Sequence, residues 1–317
     1  MPARVRWYAR HVRATALFAM SSTLLATLLA CGATTTTTHI GGPCDASNKC
    51  DDGQVCDRTA MGGAVCIDAS GDVDNDGIPN GKDFCEHLAG GANDEDGDGI
   101  GDDCDACPIA APGPADGDGD AVAAPCDPDT LTPGDRIIMF NGFNAAVAGA
   151  SSAWKFQNGE AIVTAGSALE ALAIPLAATS NHIAIIAAYQ IDAASTTAIT
   201  ADAGVGSKTV LPLGTSAIQC GGSRASGADQ VLLFQTDANM SQTQSNLTLG
   251  GMAFNPSTKY QVVQKIAGSI TQCSVAGATM AERGAVQLST DGTTPTAVVL
   301  YARGATVRFS YILVVGQ

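Results

Sequence analysis

The feature that most constrains this 317-residue chain is an acidic repeat with a period of 22 residues. Residues 72–129 align with themselves at that offset, and aspartates recur at positions 1, 3, 5 and 12 of three successive loops. The composition alone is typical of an acidic disordered linker, because large apolar side chains are scarce there. A solvated linker, however, has no reason to keep its acids in phase over three units. The register therefore predicts a folded, repeated structure.

The spacing of these aspartates predicts calcium binding. Ca²⁺ takes roughly six to eight oxygen ligands, and carboxylates at alternate positions of a tightly curled loop converge on one point. Glycine at position 6 permits the sharp turn, and the carbonyl at position 7 adds a further oxygen. Without a cation, carboxylates held so close together would repel one another. Mg²⁺ fits less well, because it keeps its waters and requires strict octahedral geometry.

The predicted ligands follow from the positions in each loop. Those of the first loop are Asp72, Asp74, Asp76, the Ile78 carbonyl, Asn80 and Asp83. Those of the second loop are Asp94, Asp96, Asp98, the Ile100 carbonyl, Asp102 and Asp105. Those of the third loop are Asp116, Asp118, Asp120 and Asp127. We expect the third loop to be the weakest, because Ala121 replaces the glycine at position 6 and Ala124 removes the oxygen at position 9.

The run DEDGDGIGDDCDACP, from Asp94 to Pro108, resembles the thrombospondin type 3 repeat. An EF-hand would instead flank its loops with amphipathic helices and usually end them in Glu, whereas these flanks are rich in Gly, Pro and Ala. The resemblance covers about 60 residues of a domain predicted over 68–133. It implies that calcium is wrapped by non-helical chain with few regular elements.

The same resemblance implies two sequential disulfides, Cys85–Cys104 and Cys107–Cys126. Both pairs span 19 positions, which supports this pairing. The alternative interpretation of Cys104-x-x-Cys107 is a redox motif, although no surrounding βαβ pattern supports it.

A cysteine-rich segment, residues 43–67, precedes the acidic repeat. Its cysteines are Cys44, Cys50, Cys56 and Cys66. Apolar side chains are scarce between them, which predicts a small unit held by disulfides. Three pairings are possible, and the sequence does not choose among them. A zinc site is the alternative, but it would favour CxxC-type spacing, which is absent.

The N-terminus predicts export and lipidation rather than folded structure. Four early arginines precede an apolar stretch over 14–30, and the sequence LLAC at 28–31 resembles the lipobox of bacterial lipoproteins. This resemblance implies a signal peptide over 1–30, lipidation of Cys31 and a Thr-rich tether over 31–42. The alternative is an ordinary signal peptide with a chance cysteine. Removal of Cys31 leaves ten cysteines, an even number that suits disulfides in an oxidising compartment.

Residues 134–317 change character abruptly and predict an all-β, two-sheet sandwich of about 12–14 strands. Apolar runs recur there between clusters of Gly, Ser, Asn and Asp. The predicted strands lie at 136–143, 161–165, 182–192, 230–235, 259–266, 285–289, 297–302 and 306–315. Helical periodicity is scarce, and 168–173 is the main ambiguous stretch. Cys220 and Cys273 are expected to pair, with two reduced buried thiols as the alternative.

Two segments of this domain, ATVRFSYILV at 305–314 and WKFQNG at 154–159, resemble concanavalin A-like (laminin G-like) jelly rolls. The resemblance is a pattern over the domain rather than a specific motif. Thrombospondins also place such a sandwich directly after their calcium repeats, so the two resemblances support each other. Together they imply a jelly-roll sandwich with a role in recognition or adhesion, binding carbohydrate or a protein partner.

The sandwich offers no recognisable catalytic motif. Its nine acids are not closely paired, the ExDxxE-like run of jelly-roll glucanases is missing, and Gly-x-Ser-x-Gly and phosphate loops are absent. His182 precedes an apolar strand and is expected to be structural rather than a general base. We therefore expect no enzyme. A carbohydrate-active hydrolase that uses acids such as Glu160 or Glu282 is the alternative, and a purely structural surface protein is the second alternative.

Aromatic side chains that could stack on sugar rings are present, but core packing explains them better. They are Trp154, Tyr189, Tyr260 and Tyr301. Each lies in or beside an apolar strand. Arg224, in the polar run 221–227, is interpreted as a solvated loop charge rather than a ligand-facing group.

The charge distribution limits the partners of this chain. Residues 32–133 hold 22 of the 31 acidic side chains, and the net charge of −15 excludes nucleic acid and anionic membranes as electrostatic partners. No internal run is apolar enough to span a membrane, so membrane attachment is expected through the lipid anchor.

We expect an exported lipoprotein at the outer membrane or cell surface. Its calcium-rigidified acidic stalk would hold the sandwich away from the membrane.

Overall fold

The computed structural model describes residues 40–60, 62–111, 115–194, 200–212, 214–225, 228–249, 255 and 258–317. All of them belong to the larger of the two units into which the chain divides, residues 38–317. The predicted signal peptide, the lipidation site Cys31 and the tether up to residue 39 lie outside the described residues. Within the described ranges, no helix combines the length and the apolar character that a membrane crossing requires.

The predicted all-β architecture is confirmed. The described residues form sixteen strands and two short 3-10 helices, Asn80–Lys82 and Met280–Glu282. The strands are β1 Gln54–Asp57, β2 Val65–Asp68, β3 Arg136–Asn141, β4 Trp154–Gln157, β5 Glu160–Thr164, β6 Glu170–Pro175, β7 His182–Ala194, β8 Thr200–Leu211, β9 Gly214–Ala225, β10 Ala228–Thr236, β11 Gln242–Thr248, β12 Lys259–Ala267, β13 Ile270–Ala276, β14 Arg283–Ser289, β15 Ala297–Arg303 and β16 Ala305–Gly316.

Fourteen of these strands build the predicted two-sheet sandwich, within the predicted range of strand number. One sheet has six strands in the order β11-β10-β9-β8-β15-β6. The other has eight, in the order β14-β13-β12-β7-β16-β5-β4 with β3 also paired to β16. Pairing is antiparallel throughout both sheets. The remaining strands, β1 and β2, form a small antiparallel sheet in the cysteine-rich segment.

The eight strands predicted from apolar runs coincide with observed strands, and the ambiguous stretch 168–173 leads into β6. In the sandwich, strands β4, β8, β9, β11 and β13 were not among those predicted from apolar runs. In β8 and β9 the reason is glycine: a Cβ at Gly204 or Gly221 would collide with a carbonyl oxygen of the opposite strand. Close approach of the two backbones therefore requires glycine there, which removes the alternating pattern that marks a strand.

The interpretation of residues 221–227 as a loop is wrong for most of its length. Strand β9 continues to Ala225 and pairs with β10, which starts at Ala228. Arg224 lies in this strand and donates to the Asp229 carboxylate from Nε at 2.6 Å and from Nη2 at 3.0 Å. The guanidinium is therefore part of an ion pair across the hairpin rather than a solvated loop charge.

A disulfide crosses the core between the two sheets. Cys220 belongs to β9 of the six-stranded sheet, and Cys273 belongs to β13 of the eight-stranded sheet. Their bond confirms the predicted pairing and excludes two reduced thiols. Both cysteines are fully buried among the apolar side chains that the two sheets direct at each other.

The disulfides of the N-terminal half are also formed. Cys85–Cys104 and Cys107–Cys126 pair as the thrombospondin resemblance implied. This pairing contradicts a redox role for Cys104-x-x-Cys107, because the two cysteines belong to different disulfides. In the cysteine-rich segment the bonds are Cys44–Cys56 and Cys50–Cys66. Sulfur atoms of Cys44, Cys50 and Cys66 lie close together, but they are oxidised and supply no thiolates for zinc.

A second apolar cluster lies on the outer face of the eight-stranded sheet. Its buried members from the sheet are Ile186, Ala188, Tyr311, Leu313 and Val315, and those from the acidic repeat are Cys107, Val122, Ala123 and Cys126. The third unit of the repeat therefore packs directly on the sandwich. That the repeat holds the sandwich away from the membrane stays a prediction, but the sequence alone did not predict this direct contact. The physical reason is that β7 and β16 are apolar on both faces, and their outer face would otherwise be exposed to water.

This packing predicts the effect of shortening Leu313, which is fully buried on the outer face of β16. Leu313→Ala should lower the free energy of unfolding by about 2–5 kcal/mol, because it leaves a cavity in a packed cluster. Leu131→Ala makes the same chemical change at a side chain that is 86% exposed, and should cost less than about 0.5 kcal/mol. Urea denaturation at one fixed calcium concentration measures both values. Equal, small effects of the two substitutions would show that the repeat does not cover this face.

Candidate metal-binding loops

The three acidic loops, residues 72–83, 94–105 and 116–127, share one backbone conformation. Positions 4 and 6 have left-handed φ angles in each of them. The residues are Asn75 (63°) and Gly77 (94°), Gly97 (78°) and Gly99 (84°), and Gly119 (85°) and Ala121 (73°). Ala121 thus adopts the angle that the first two loops give to glycine, although a side chain disfavours it. The third loop is therefore curled like the others despite the substitution at position 6.

The curl is held by hydrogen bonds from backbone N–H groups to the acidic side chains. The carboxylate at position 1 accepts the N–H of position 6 in all three loops, as Gly77 to Asp72 (3.0 Å), Gly99 to Asp94 (2.8 Å) and Ala121 to Asp116 (2.9 Å). The carboxylate at position 5 accepts the N–H of position 7, as Ile78 to Asp76 (2.6 Å), Ile100 to Asp98 (2.8 Å) and Val122 to Asp120 (3.0 Å). These bonds bring one oxygen from each of positions 1, 3 and 5 within 4.8 Å of one another in every loop.

Position 12 is anchored in the same way. Each of Asp83, Asp105 and Asp127 accepts the N–H two residues further on, at 2.9, 2.9 and 2.6 Å. All three side chains are buried. In the first two loops the donor is the disulfide-bonded Cys85 or Cys107, so the disulfides fix the end of the loop that carries the position-12 carboxylate.

Several buried carboxylate oxygens in these loops have no hydrogen-bond donor. They are Asp74 Oδ2 in the first loop, Asp96 Oδ2 and Asp105 Oδ2 in the second, and both oxygens of Asp118 with Asp127 Oδ2 in the third. A buried carboxylate oxygen without a donor or a cation is unfavourable, because it has lost its water and gained nothing in exchange. The unpartnered atoms belong to positions 3 and 12, which the sequence analysis had assigned to a metal ion.

The pKa values of several carboxyls at positions 3 and 12 are raised, as expected for carboxylates with buried oxygens that lack hydrogen-bond donors. Burial, followed by the charges of neighbouring aspartates, raises the pKa of the position-3 carboxyls Asp74, Asp96 and Asp118. Burial also raises the pKa of Asp105 to about 6. The ionised forms of these four carboxyls are thus disfavoured when the loops hold no cation. A bound divalent ion would reverse that preference, because it stabilises the charged form of every carboxylate around it.

The position-9 side chains of the first two loops form hydrogen bonds that stabilise the loop conformation. Asn80 Oδ1 accepts the Val73 N–H at 3.1 Å, and its Nδ2 donates to the Asp68 carbonyl at 2.7 Å. In the second loop, Asp102 Oδ1 accepts the Glu95 N–H at 2.8 Å. These bonds tie position 9 back to position 2 and close the loop. Their predicted role as metal ligands stays a prediction, as does that of the Ile78 and Ile100 carbonyls.

Two residues outside the repeat pattern reach these loops, and the sequence analysis missed both. Arg58, from the cysteine-rich segment, donates to the Asp98 carbonyl at 2.6 Å. Asp135 lies just before β3 and donates its N–H to Asp120 Oδ2 at 2.7 Å. The period of 22 could not identify Asp135, because the equivalent position of the first unit is Gly91.

The aromatic residues considered for sugar stacking are core residues. Trp154, Tyr189, Tyr260 and Tyr301 are all buried, with at most 5% of their surface exposed. Tyr189 stacks on Tyr260 with ring centroids 5.5 Å apart. None of the four offers a free ring face to a ligand.

Two carboxylates of the sandwich accept hydrogen bonds from the same guanidinium group. Arg308 donates from Nε to Asp192 at 2.6 Å and from Nη1 to Glu160 at 3.1 Å. The sequence analysis did not pair these acids, because they come together through strands β5, β7 and β16. Elsewhere, Glu282 accepts the N–H and the hydroxyl of Thr279 at 2.8 and 2.9 Å, which forms a capping box. Each of these three acids therefore has a hydrogen-bond partner within the protein.

The outer face of the six-stranded sheet carries a groove with a volume of about 760 Å³. Its lining is rich in amides, and we call it the amide groove. Its lining includes Gln219, Gln230, Gln242, Gln244, Asn246 and Phe234. Strand register places Gln244 beside Phe234 and Phe234 beside Gln219. The ring is therefore flanked by amides on both neighbouring strands. At one end, Arg303 forms an ion pair with Asp202.

Comparisons with known proteins find similar folds but no family. No protein-family model matches the sequence, and no curated protein matches it either. Among solved structures, the CBM2 module of the evolved Dit protein of Lactobacillus casei BL23 phage J-1 is 11% identical, with a TM-score of 0.42. The match covers 57% of this chain and 96% of that chain. A xylan beta-1,4-xylosidase from Bacillus halodurans is 10% identical over 59% of this chain and 40% of its own, with a TM-score of 0.40.

A third similar structure is an immunostimulatory antigen and pseudo beta-1,3-glucanase of Mycobacterium tuberculosis. It is 9% identical over 50% of this chain and 76% of its own, with a TM-score of 0.35. At such low identities and TM-scores, these likenesses support no conclusion about what this chain binds or catalyses.

Proposed function

We propose that this chain is an exported calcium-binding protein in which each acidic loop takes Ca²⁺. The observation that carries the proposal is the set of buried, unpartnered carboxylate oxygens at positions 3 and 12 of the loops. They point to a cation because a carboxylate oxygen needs a donor or a positive charge when it is removed from water. All of the candidate ligand atoms are oxygens, which favours a hard cation over zinc. The number and the flexible spacing of these ligands favour Ca²⁺ over Mg²⁺.

The residues that would hold calcium are the carboxylates at positions 1, 3, 5 and 12. In the second loop these are Asp94, Asp96, Asp98 and Asp105. Calcium supplies positive charge that removes the repulsion among them. The protein's own contribution is to curl the loop through its left-handed residues and to orient each carboxylate with a backbone N–H. The role is structural rather than catalytic, since the ion would fix the conformation of a segment that has little apolar core.

Export and lipid anchoring belong to the same proposal. Five disulfides are compatible with an oxidising compartment. Lipidation of Cys31 would attach the chain to the outer membrane or cell surface. Calcium is more available outside the cell than inside, so calcium loops suit that location.

The second candidate function is carbohydrate binding in the amide groove. Sugar hydroxyls pair well with amide side chains, which can donate and accept at the same time, and the Phe234 ring supplies an apolar surface beside them. A neutral or weakly polar glycan therefore fits this lining better than a charged ligand. A hydrolase acting on such a glycan and a purely structural surface protein are the alternatives.

The calcium proposal predicts the effect of removing one position-3 carboxylate. Asp96→Asn keeps the shape of the side chain but loses its charge. It should weaken the second site by about tenfold or more, because that site loses a charged ligand. Asp103→Asn is the matched control, since Asp103 is an exposed acid at position 10 of the same loop. Calorimetric titration of the full chain with CaCl₂ measures the number of sites and their affinities. Unchanged binding by Asp96→Asn would contradict the assignment.

The groove proposal predicts that the double variant Gln219→Ala, Gln244→Ala loses binding to a glycan array. The two amides flank Phe234, so their loss should weaken a bound glycan by about tenfold, as expected for two hydrogen bonds. Gln272→Ala is the control, because Gln272 lies on the other sheet and pairs with Gln287 at 3.1 Å. If the unmodified chain binds no glycan, the groove proposal is wrong. Cleavage of an array glycan would instead favour the hydrolase.

A further inference from the structure

More unpartnered oxygen atoms lie at the third loop than at either of the other two loops. One of these atoms belongs to Asp135, a residue outside the repeat. The first loop has one such atom and the second has two, whereas the third has three of its own. Asp135 Oδ2 adds a fourth. The sequence analysis expected this loop to be the weakest, so the excess of unpartnered oxygens requires an explanation.

We propose that Asp135 completes the metal site of the third loop, so that one divalent cation joins the acidic repeat to the sandwich. This inference rests on the proposed calcium-binding function and adds a ligand that the repeat pattern does not contain. The ligand would be a hard divalent cation, Ca²⁺ in the first place, because the added donor is again a carboxylate oxygen.

The position of Asp135 is fixed by the loop itself. Asp120 Oδ2 accepts two backbone N–H groups, from Gly134 at 3.0 Å and from Asp135 at 2.7 Å. The Asp135 side chain is 3% exposed and lies beside the Asp127 carboxyl. Three carboxylates therefore crowd together at a buried place, with unpartnered oxygens on Asp127 and Asp135.

No described Lys or Arg side chain forms an ion pair with Asp135 that would offset the repulsion among these three carboxylates. Lys265 lines the same small cavity as Asp135, but its ammonium group donates to the Pro128 carbonyl at 3.4 Å. Among the described residues, Asp135 forms no ion pair with Lys or Arg within 4.0 Å. A metal ion would supply the missing positive charge.

Such a cation would act at the junction of the two parts of the molecule. Asp135 is followed directly by β3, whose first residue, Arg136, pairs with Gly316 at the end of β16. On the other side, Val122, Ala123 and Cys126 belong to the loop itself and cover the outer face of the sheet. Metal binding by the third loop would therefore stabilise the packing of the repeat on the sandwich.

Calcium titration of the full chain with the variant Asp135→Asn tests this inference. The variant should weaken one site by about tenfold or more and leave the other sites at wild-type affinity. Asp103→Asn should bind as the wild type does. Wild-type affinities at every site of Asp135→Asn would overturn the inference while leaving the calcium proposal intact. Absence of any calcium binding by the unmodified chain would overturn both, so the two failures are distinguishable.

A second measurement on the unmodified chain covers the case in which Asp135→Asn fails to fold. Hydrogen exchange followed by mass spectrometry compares peptides containing 118–127 and 134–141 with CaCl₂ and with EGTA. The amides of Gly134 and Asp135 should exchange at least about tenfold more slowly with calcium, in step with those of the third loop. Slowing confined to the loops, with no change over 134–141, would overturn the inference.

Discussion

The outer apolar face of the eight-stranded sheet has to be covered, and the acidic repeat covers it. Strands β7 and β16 direct large side chains such as Tyr189 and Phe309 into the sandwich and others such as Ile186 and Leu313 outward. The hydrophobic effect opposes leaving that outer face in water, since each buried aliphatic side chain contributes about 1.5–3 kcal/mol. The acidic repeat supplies the cover through the residues around the Cys107–Cys126 disulfide. A segment rich in aspartate thereby becomes part of a hydrophobic interface.

The repeat can do this only if its own conformation is fixed by something other than a core. Its backbone is held by N–H groups that donate to carboxylates, by disulfides that anchor position 12, and by left-handed residues that curl each loop. The same arrangement crowds carboxylates together, which is unfavourable without positive charge. In the account proposed here, calcium removes that cost, and the cation at the third loop also holds Asp135 of the sandwich. Metal binding and the covering of the sheet would then be parts of one folding equilibrium.

Sequence patterns predicted much of this architecture, and the failures have physical causes. Periodicity identified the loops, and apolar runs identified eight of the sixteen strands, but β8 and β9 were missed because close strand contact requires glycines such as Gly204. The packing of the repeat on the sandwich was not predicted, because unbroken apolar runs such as 312–315, which indicate a strand buried on both faces, were overlooked. Pairing of the four N-terminal cysteines needed three-dimensional distances. Asp135 has no counterpart in the repeat, so only the fold could bring it to the third loop.

In the arrangement proposed here, calcium binding and the packing of the repeat on the sandwich are coupled. Differential scanning calorimetry of the full chain in CaCl₂ and in EGTA tests it most directly. We expect one cooperative transition in calcium, at a temperature well above that in EGTA. At a free calcium concentration 100 times the Kd of a site, binding to that site adds about 2.7 kcal/mol to the free energy of unfolding. Superimposable transitions in the two buffers would contradict the claim, because the repeat would then hold its place on the sheet without any cation.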